Sequence, residues 1–150
     1  MLFTGTDAPG VNVLITVCGE DNDTVMNTVR AACETDWPSD RIRVVVLDDG
    51  RSEDLRKSIE LLQNTYNHVY YASRDKPEVP DYKPGNLTHG LSYTDSLSDE
   101  PLPFMAALDM DMIVKPHWLR ALMPHLLKDP KLAQVCPPQV SPSCCACAIC

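Results

Sequence analysis

The chain has 150 residues, of which 44% are hydrophobic and 23% are charged, and this composition is ordinary for one compact globular domain. Its 21 acidic and 13 basic residues give a formal net charge of -8, which argues against nucleic acid as a partner because that requires a basic surface. No run reaches the roughly 18 consecutive apolar residues of a transmembrane segment, and no signal-peptide pattern opens the chain.

The first half of the chain predicts alternating strands and helices. Residues 11–17 and 42–47 are apolar, β-branched runs that end in turn-forming residues, as buried strands do. A helix capped by Asn22 or Asp23 follows the first strand, and a helix capped by Ser52 follows the second. Their apolar faces, at helical spacing, comprise Val25, Met26, Val29, Ala32 and Cys33 in the first helix and Leu55, Ile59 and Leu62 in the second.

The middle of the chain is richer in proline. A third strand is predicted over residues 68–72, followed by a surface loop over residues 74–85. A short helix is expected to begin near Gly85 and Asn86. Residues 104–108 then predict a fourth short, buried strand that runs into Asp109.

The last predicted elements are a helix and a strand. Pro116 suits the first position of a helix, and Pro124 is expected to kink or split it. A final strand is predicted over residues 132–136. The apolar face of this helix comprises Trp118, Leu119, Leu122 and Leu126.

This order of elements predicts the fold class. Strands that alternate with helices at this spacing pair in parallel through right-handed crossovers, so we expect an α/β fold with an open, mostly parallel sheet and helices on both faces. The domain is expected over residues 11–139, with a flexible segment over residues 1–10 and an unstructured tail over residues 140–150. Ligands of such sheets bind at the carboxyl ends of the strands.

Polar and acidic clusters follow three of the predicted strands, at residues 16–20, 48–50 and 109–111. In a parallel sheet these ends share one rim, where several carboxylates favour a divalent cation. Asp109 and Asp111 are two residues apart and therefore lie on the same side of an extended segment, where they can share Mg²⁺ or Mn²⁺. These ions complete their coordination with substrate phosphates, which points to a diphosphate substrate.

Each cluster also has a simpler interpretation. Asp-x-Asp and Asp-Gly pairs often only form turns or cap helices. Lys83, beside Gly85 and Asn86, either pairs with a phosphate or is a solvated loop lysine. A phosphoacceptor domain also gathers carboxylates at a sheet rim, but the order of the acidic pairs and the missing lysine after the last strand disfavour it.

Taken in order, these residues resemble the family-2 glycosyltransferases, which include the processive synthases for cellulose, chitin and hyaluronan and have the GT-A, Rossmann-like fold. The resemblance covers about residues 11–139. Four ordered motifs carry it: Val-Leu-Ile-Thr-Val-Cys-Gly-Glu at residues 13–20, Asp48-Asp49-Gly50, Lys83-Pro84-Gly85-Asn86 and Asp109-Met110-Asp111. Cys18-Gly19 stands where the family has an aromatic residue and asparagine.

The resemblance implies a site for a UDP-sugar donor and a divalent metal, Mg²⁺ or Mn²⁺. The implied site residues are Thr16, Glu20 and Asp48 at the uridine, Lys83 at the diphosphate, Asp109 and Asp111 at the phosphates and the metal, and Asp49 elsewhere in the donor site.

The activity implied by the resemblance is inverting transfer of a hexose to a polysaccharide or other glycan acceptor. Full-length relatives continue into an acceptor half with a catalytic-base Asp and membrane helices, which this sequence lacks. We therefore expect a fragment on the cytoplasmic side that binds donor with weak or no turnover, because a general base contributes about 10²- to 10⁴-fold. The alternative is a non-catalytic module that binds a nucleotide sugar or a partner.

Cysteine use is uneven along the chain. Cys18, Cys33 and Cys136 lie in apolar segments and are expected to be buried as small hydrophobes. Four more cysteines crowd residues 144–150. The last four residues match the form of a C-terminal prenylation box. The spacing of the four cysteines fits a zinc site poorly. The simplest interpretation is that this segment is the tail of a truncated or frame-shifted protein.

Overall fold

The computed structural model describes residues 7–75, 78–79 and 81–137. Within these ranges the elements alternate, as predicted, between strands and helices. In chain order they are β1 (Val11–Val17), α1 (Asn22–Cys33), β2 (Ile42–Asp48), α2 (Glu53–Leu62), β3 (Val69–Ala72), α3 (Tyr82–Ser96), β4 (Phe104–Asp109) and α4 (Trp118–Lys128).

The four strands form one parallel sheet in the order β3-β2-β1-β4. In its centre, Val13 of β1 lies between Val44 of β2 and Ala106 of β4. The β1 and β2 sequences are almost continuously apolar because both faces of a central parallel strand are covered. The predicted parallel α/β sheet is confirmed.

Helices cover both faces of the sheet, as predicted. Val13 and Ile15 of β1 belong to the larger core, which α1, α2 and α4 complete. Leu14, between them in sequence, points to the opposite face and packs in a smaller core with Leu47 and with Leu87 of α3. The alternation of side chains along β1 therefore places α3 on one face and the other three helices on the opposite face.

The strand order creates a crevice beside β1. From β1 the chain adds β2 and β3 on one side and then crosses to place β4 on the other side. Helical connections on opposite faces diverge at such a point, which leaves room for a ligand at the carboxyl ends of β1 and β4.

The starts of α1 and α3 differ from the sequence prediction. Asp21, one residue before the predicted cap, caps α1 by accepting a hydrogen bond from the Thr24 backbone N–H at 3.0 Å. Ser52 caps α2 as predicted, through a 3.2 Å hydrogen bond from the Leu55 N–H. Helix α3 begins at Tyr82 rather than near Gly85, because Pro84 is tolerated in a first turn, where its missing N–H is not needed.

Helix α4 begins two residues after Pro116, which therefore does not hold the first helical position. The helix runs through Pro124 without splitting, and its most buried side chains are those of Leu119 and Met123. Met123 is not among the residues of the predicted apolar face. Trp118 and Leu126, both predicted, pack at the edge of the core.

The predicted strand over residues 132–136 is wrong. Residues 132–137 have no regular structure, and Leu132 is 45% exposed. Strand propensity is a weak preference that tertiary packing overrides, and residues 132–136 do not pair with either edge strand, β3 or β4. Of the three cysteines expected to be buried, Cys33 is buried, whereas Cys18 and Cys136 are exposed.

The ends of the predicted domain are only partly described. Ala8 is buried, and the Pro9 carbonyl accepts a hydrogen bond from the Trp37 indole at 3.0 Å, so residues 8 and 9 pack against the domain. The boundaries at residues 11 and 139 stay predictions, and the cysteine-rich tail over residues 140–150 lies outside the described residues. No helix in the described part of the chain is long and apolar enough to cross a bilayer.

His68, just before β3, gives the fold a pH dependence. Burial lowers the pKa of its imidazole, and the backbone of Cys33 partly opposes that shift. As the pH falls through the ordinary histidine value of 6.5, the unfolded chain takes up a proton that the folded chain does not.

We therefore expect the free energy of unfolding to decrease below pH 6.5, with a contribution from His68 of at most about 1.4 kcal/mol per pH unit. His68→Leu removes that contribution. Urea denaturation of both proteins between pH 5 and 8 measures it, and identical slopes in the two proteins would contradict the assignment.

Candidate functional site

A cleft of about 650 Å³ opens at the carboxyl edge of the sheet. The ends of β1, β2, β3 and β4 and the first turn of α3 converge there. Its lining residues are Thr16, Val17, Cys18, Glu20, Asp49, Arg74, Asp81, Tyr82, Lys83, Asn86, Asp109, Met110 and Asp111.

Strand register brings distant parts of the sequence to this cleft. Thr16 of β1 pairs with Asp109 of β4, and Val17 pairs with Asp48 of β2. The residues predicted from the sequence as donor or metal ligands therefore share one cleft, with a single exception. The lining residues among them are Thr16, Glu20, Asp49, Lys83, Asp109 and Asp111, and the exception is Asp48.

Asp48 is fully buried and shapes the loop between β2 and α2. Its carboxylate accepts hydrogen bonds from the backbone N–H groups of Gly50 and Ser52, both at 2.7 Å, and from the Tyr71 hydroxyl at 2.9 Å. Burial, together with this hydrogen bond to Asp48, raises the pKa of Tyr71 to about 12. The structure places Asp48 inside the loop rather than on the cleft wall, so its contact with uridine stays a prediction.

Asp49 faces the cleft and is held by Arg74, which follows β3. The guanidinium makes a two-pronged ion pair with Asp49, at 2.8 Å from Nε to Oδ1 and 3.1 Å from Nη2 to Oδ2. Both side chains are nearly buried, at 10% and 8% exposed. Such fork-like pairs hold a carboxylate in one orientation.

The same guanidinium also reaches the start of α3. Its Nη1 and Nη2 donate to the Asp81 carboxylate at 2.8 and 2.7 Å, and Nη2 donates to the Tyr82 carbonyl at 3.2 Å. Hydrogen bonds from Arg74 lower the pKa of Asp81, and those to Asp49 and Asp81 raise the pKa of Arg74. Arg74 therefore ties the ends of β2 and β3 to the first turn of α3.

The Lys-Pro-Gly-Asn motif lies in that first turn. A side chain at Gly85 would overlap the Asp81 carboxylate, so a larger residue there requires Asp81 to move out of the Arg74 clamp. Asn86 is buried and donates to the Leu47 carbonyl at 2.9 Å, which fixes α3 to the end of β2. These contacts direct Lys83 into the cleft, where its ammonium pairs with Asp109.

The Asp109-Met110-Asp111 turn closes the other side of the cleft. Both carboxylates are exposed, and the Met110 side chain packs against the larger core. The turn is closed by a 3.0 Å hydrogen bond from the Met112 N–H to the Asp109 carbonyl. On the β1 side, the Glu20 carboxylate accepts a hydrogen bond from the Cys18 N–H, which turns it back towards the strand end.

The net negative charge of the cleft lining favours a cation that binds together with a ligand. Acidic side chains outnumber basic ones, because only Arg74 and Lys83 oppose the carboxylates of Glu20, Asp49, Asp81, Asp109 and Asp111. Within the described residues, no three His, Cys, Asp or Glu side chains form a group that could hold a metal. Asp109 and Asp111 fit Mg²⁺ or Mn²⁺, which use one or two carboxylates and take their remaining ligands from phosphates and water.

Comparison with known proteins identifies the family of the chain. A family model described as glycosyl transferase family 2 matches residues 12–143. The chain belongs to that family. The resemblance seen in the four sequence motifs is thereby confirmed.

Two curated relatives show the range of the family. A cellulose synthase catalytic subunit (UDP-forming) from Pseudomonas fluorescens is 35% identical over 127 residues, which are 85% of this chain and 15% of that protein. A probable glucomannan 4-beta-mannosyltransferase 6 from Oryza sativa subsp. japonica is 34% identical over 114 residues, or 72% of this chain and 19% of that protein. The chain thus spans less than a fifth of either relative.

Solved structures confirm the GT-A-like fold. Mannosyltransferase PcManGT from Pyrobaculum calidifontis, in complex with GDP-Man and Mn²⁺, superposes with a TM-score of 0.67 at 18% identity, covering 83% of this chain and 34% of that one. S. aureus TarS 1-349 in complex with UDP-GlcNAc gives a TM-score of 0.56 at 16% identity, covering 79% and 31%. At these identities the likeness concerns the fold.

Several residues that line the cleft of this family-2 domain are not predicted from its sequence. The sequence predicts a surface loop that includes Arg74, Asp81 and Tyr82, and it indicates Asn86 only as part of a motif. Arg74 had a usable signal, because it lies two residues beyond the end of β3, at the same rim as the acidic clusters. Nothing in the local pattern indicates that it pairs with Asp49.

The buried Asp48 network predicts a stability effect. In Asp48→Asn an NH₂ group replaces one carboxylate oxygen. That NH₂ group then faces at least one of the three groups that donate hydrogen bonds to Asp48. We expect the free energy of unfolding to fall by about 1–3 kcal/mol, as for a buried group left unpaired. Urea denaturation measures it.

The control is Asp111→Asn, which neutralises an exposed carboxylate in the same cleft and is expected to change stability by less than about 0.5 kcal/mol. Unchanged stability in Asp48→Asn, combined with weaker UDP binding, would favour the uridine contact over the structural role.

The Arg74 clamp predicts that lysine cannot replace arginine there. Arg74→Lys keeps the charge but loses the fork that holds Asp49 and Asp81 together. We expect a loss of about 1–3 kcal/mol in the free energy of unfolding, because the nearly buried Asp49 loses paired donors. The matched control is Arg56→Lys, whose 54%-exposed side chain pairs with Glu60 on the surface and should change stability by less than about 0.5 kcal/mol. Equal losses of stability in Arg74→Lys and Arg56→Lys would show that the Arg74 clamp does not stabilise the fold.

Proposed function

We propose that this chain is the donor-binding part of a glycosyltransferase that binds a UDP-sugar together with a divalent metal ion. One observation carries the proposal: the ends of β1, β2 and β4 and the first turn of α3 line a single cleft, and this cleft holds the Asp-x-Asp pair and Lys83. A nucleoside diphosphate sugar offers each of these groups a matching partner.

The diphosphate side of the proposed site is the start of α3. Unpaired N–H groups and the helix dipole make a helix N-terminus favourable for phosphate. Lys83 adds a full positive charge in that first turn and lines the cleft. As the glycosidic bond breaks, negative charge grows on the leaving diphosphate, and a preorganised lysine and helix end stabilise it.

The uridine side is the end of β1. Thr16 offers a hydroxyl and Glu20 a carboxylate that can accept hydrogen bonds from the base or the ribose, and both line the cleft. Asp49, oriented by Arg74, faces the same space from the end of β2. We assign Asp49 to the donor site as well, whereas Asp48 acts through the loop that it builds.

Asp109 and Asp111 are proposed to hold the metal. Their exposed carboxylates are hard oxygen donors, as Mg²⁺ and Mn²⁺ prefer. When bound, the ion neutralises charge on the diphosphate and so activates the leaving group. PcManGT, which shares the fold, was solved with GDP-Man and Mn²⁺, and this supports a divalent ion in the proposal.

The nucleotide is proposed to be UDP and the acceptor a glycan. The Pseudomonas fluorescens relative, 35% identical, is named as UDP-forming and as a cellulose synthase, and TarS was solved with UDP-GlcNAc. The fold also accommodates GDP-Man in PcManGT, so GDP is the competitor to test against UDP.

The metal assignment predicts coupling between metal and nucleotide. We expect Mn²⁺ to tighten UDP binding on the order of 10-fold, within the usual range for coupled ligands, and the double variant Asp109→Asn/Asp111→Asn to abolish this effect. UDP affinity without metal should be kept or increased, because the variant releases Lys83 from its ion pair with Asp109. Calorimetric titration of UDP with and without Mn²⁺ measures both.

A matched control is Asp95→Asn/Asp99→Asn, which removes the same charge from two exposed positions outside the cleft. It should retain the Mn²⁺ effect. A double variant at Asp109 and Asp111 that still responds to Mn²⁺ like wild type would overturn the metal assignment. Incubation with labelled UDP-glucose then separates transfer from mere binding, since sustained release of UDP excludes a non-catalytic module.

A further inference from the structure

The Asp-x-Asp turn is attached to the body of the domain by its intervening residues. Asp109 and Asp111 line the cleft together with Met110, and the side chains of Met110 and Met112 also pack against the larger core. Apolar packing holds the turn near α1, but flexible methionine side chains specify a position only loosely. A directional contact is needed to fix the backbone between the two carboxylates.

Thr28 of α1 makes that contact. Its hydroxyl donates a 2.7 Å hydrogen bond to the carbonyl of Met110, which is 82 residues away in sequence. The Thr28 side chain is 0% exposed and lies on the face of α1 formed by Val25, Val29 and Ala32. A buried hydroxyl needs a partner, and helical threonines commonly use a carbonyl of their own helix. This one instead reaches the peptide between the two cleft carboxylates.

The contact controls geometry because of where it acts. The Met110 carbonyl belongs to the peptide that joins Met110 to Asp111, so its orientation sets the direction of the second carboxylate relative to the first. Two carboxylates share an ion only when both are held close to their binding geometry, within about 0.5 Å. Side chains that support a ligand residue in this way commonly change metal affinity by about 10- to 100-fold when removed.

We propose that Thr28 is the positioning residue of the Asp109-Met110-Asp111 turn: its hydrogen bond to the Met110 carbonyl holds the two carboxylates in the arrangement that a divalent cation requires. The inference rests on the proposed function for its metal and nucleotide. The proposal assigns a role in metal binding to Thr28, which is not among the residues that line the cleft.

The test compares the Mn²⁺ effect on UDP affinity in wild type and in Thr28→Val, Thr28→Ser and Thr94→Val. Valine keeps the shape of threonine and removes the hydroxyl, so we expect the Mn²⁺ effect to fall roughly 3- to 10-fold, the range that one hydrogen bond supplies. Affinity for UDP without metal should stay at the wild-type value. Thr28→Ser keeps the hydroxyl and should retain the effect.

Thr94→Val is the matched control. Thr94 is also buried, at 1% exposed, and its hydroxyl donates to a carbonyl at 2.8 Å, but that carbonyl is Leu91 of the same helix. It should keep the full Mn²⁺ effect. The proposal is overturned if folded Thr28→Val responds to Mn²⁺ like wild type, if Thr28→Ser loses as much as Thr28→Val, or if Thr94→Val loses as much. If Thr28→Val does not fold, Thr28→Ala carries the same comparison, since alanine favours the helix.

A second measurement keeps this inference separate from the proposed function. The Met112 N–H, which donates to the Asp109 carbonyl, reports on the turn by amide hydrogen exchange without any ligand. We expect faster exchange at Met112 in Thr28→Val than in wild type, Thr28→Ser or Thr94→Val. If wild type shows no Mn²⁺ effect, the proposed function fails while this exchange still decides the role of Thr28, and unchanged exchange in Thr28→Val overturns it.

Discussion

The parallel register of β1 with its two neighbours is the constraint on which the rest of this structure depends. It sets Val17 opposite Asp48 and Thr16 opposite Asp109, so that strand ends separated by most of the chain reach the same rim. The register is itself enforced by burial, because a slip by one residue would turn Val13 and Ile15 away from the core that they share with α1. The packing of the sheet and the assembly of the cleft therefore have one cause.

Carboxylates at the rim divide between building the cleft and facing it. The Asp48 carboxylate accepts three hydrogen bonds from within the domain, and these fix the shape of the loop after β2. Asp81 is paired with Arg74, and the space that its carboxylate occupies in this pair lies against Gly85. Asp109 and Asp111 remain exposed. An acidic cluster that looks uniform in sequence thus contains groups with structural roles and groups available to a ligand.

Arg74 and Lys83 distribute positive charge across the cleft in different ways. The guanidinium is nearly buried, holds two carboxylates and the Tyr82 carbonyl, and serves as a fixed joint between β2, β3 and α3. The ammonium is about half exposed and meets only Asp109 among the ion pairs of the described residues. The planar guanidinium of arginine suits a fixed contact with two carboxylates, whereas the compact ammonium on the flexible lysine side chain suits contact with a phosphate.

Local patterns in the sequence determined the strands β1, β2 and β4, the cap of α2, the apolar faces of α1 and α2, and the motifs that identify the family. These features depend on neighbouring residues: alternation, helical spacing and capping are all read within a few positions. The parallel α/β fold followed from their order. Tertiary structure decided which aspartate of the Asp48-Asp49 pair faces the cleft, that Arg74 clamps α3, that Thr28 reaches Met110, and that residues 132–136 do not join the sheet. Each of these outcomes joins groups far apart in sequence, and their meeting depends on register and packing that local spacing does not encode.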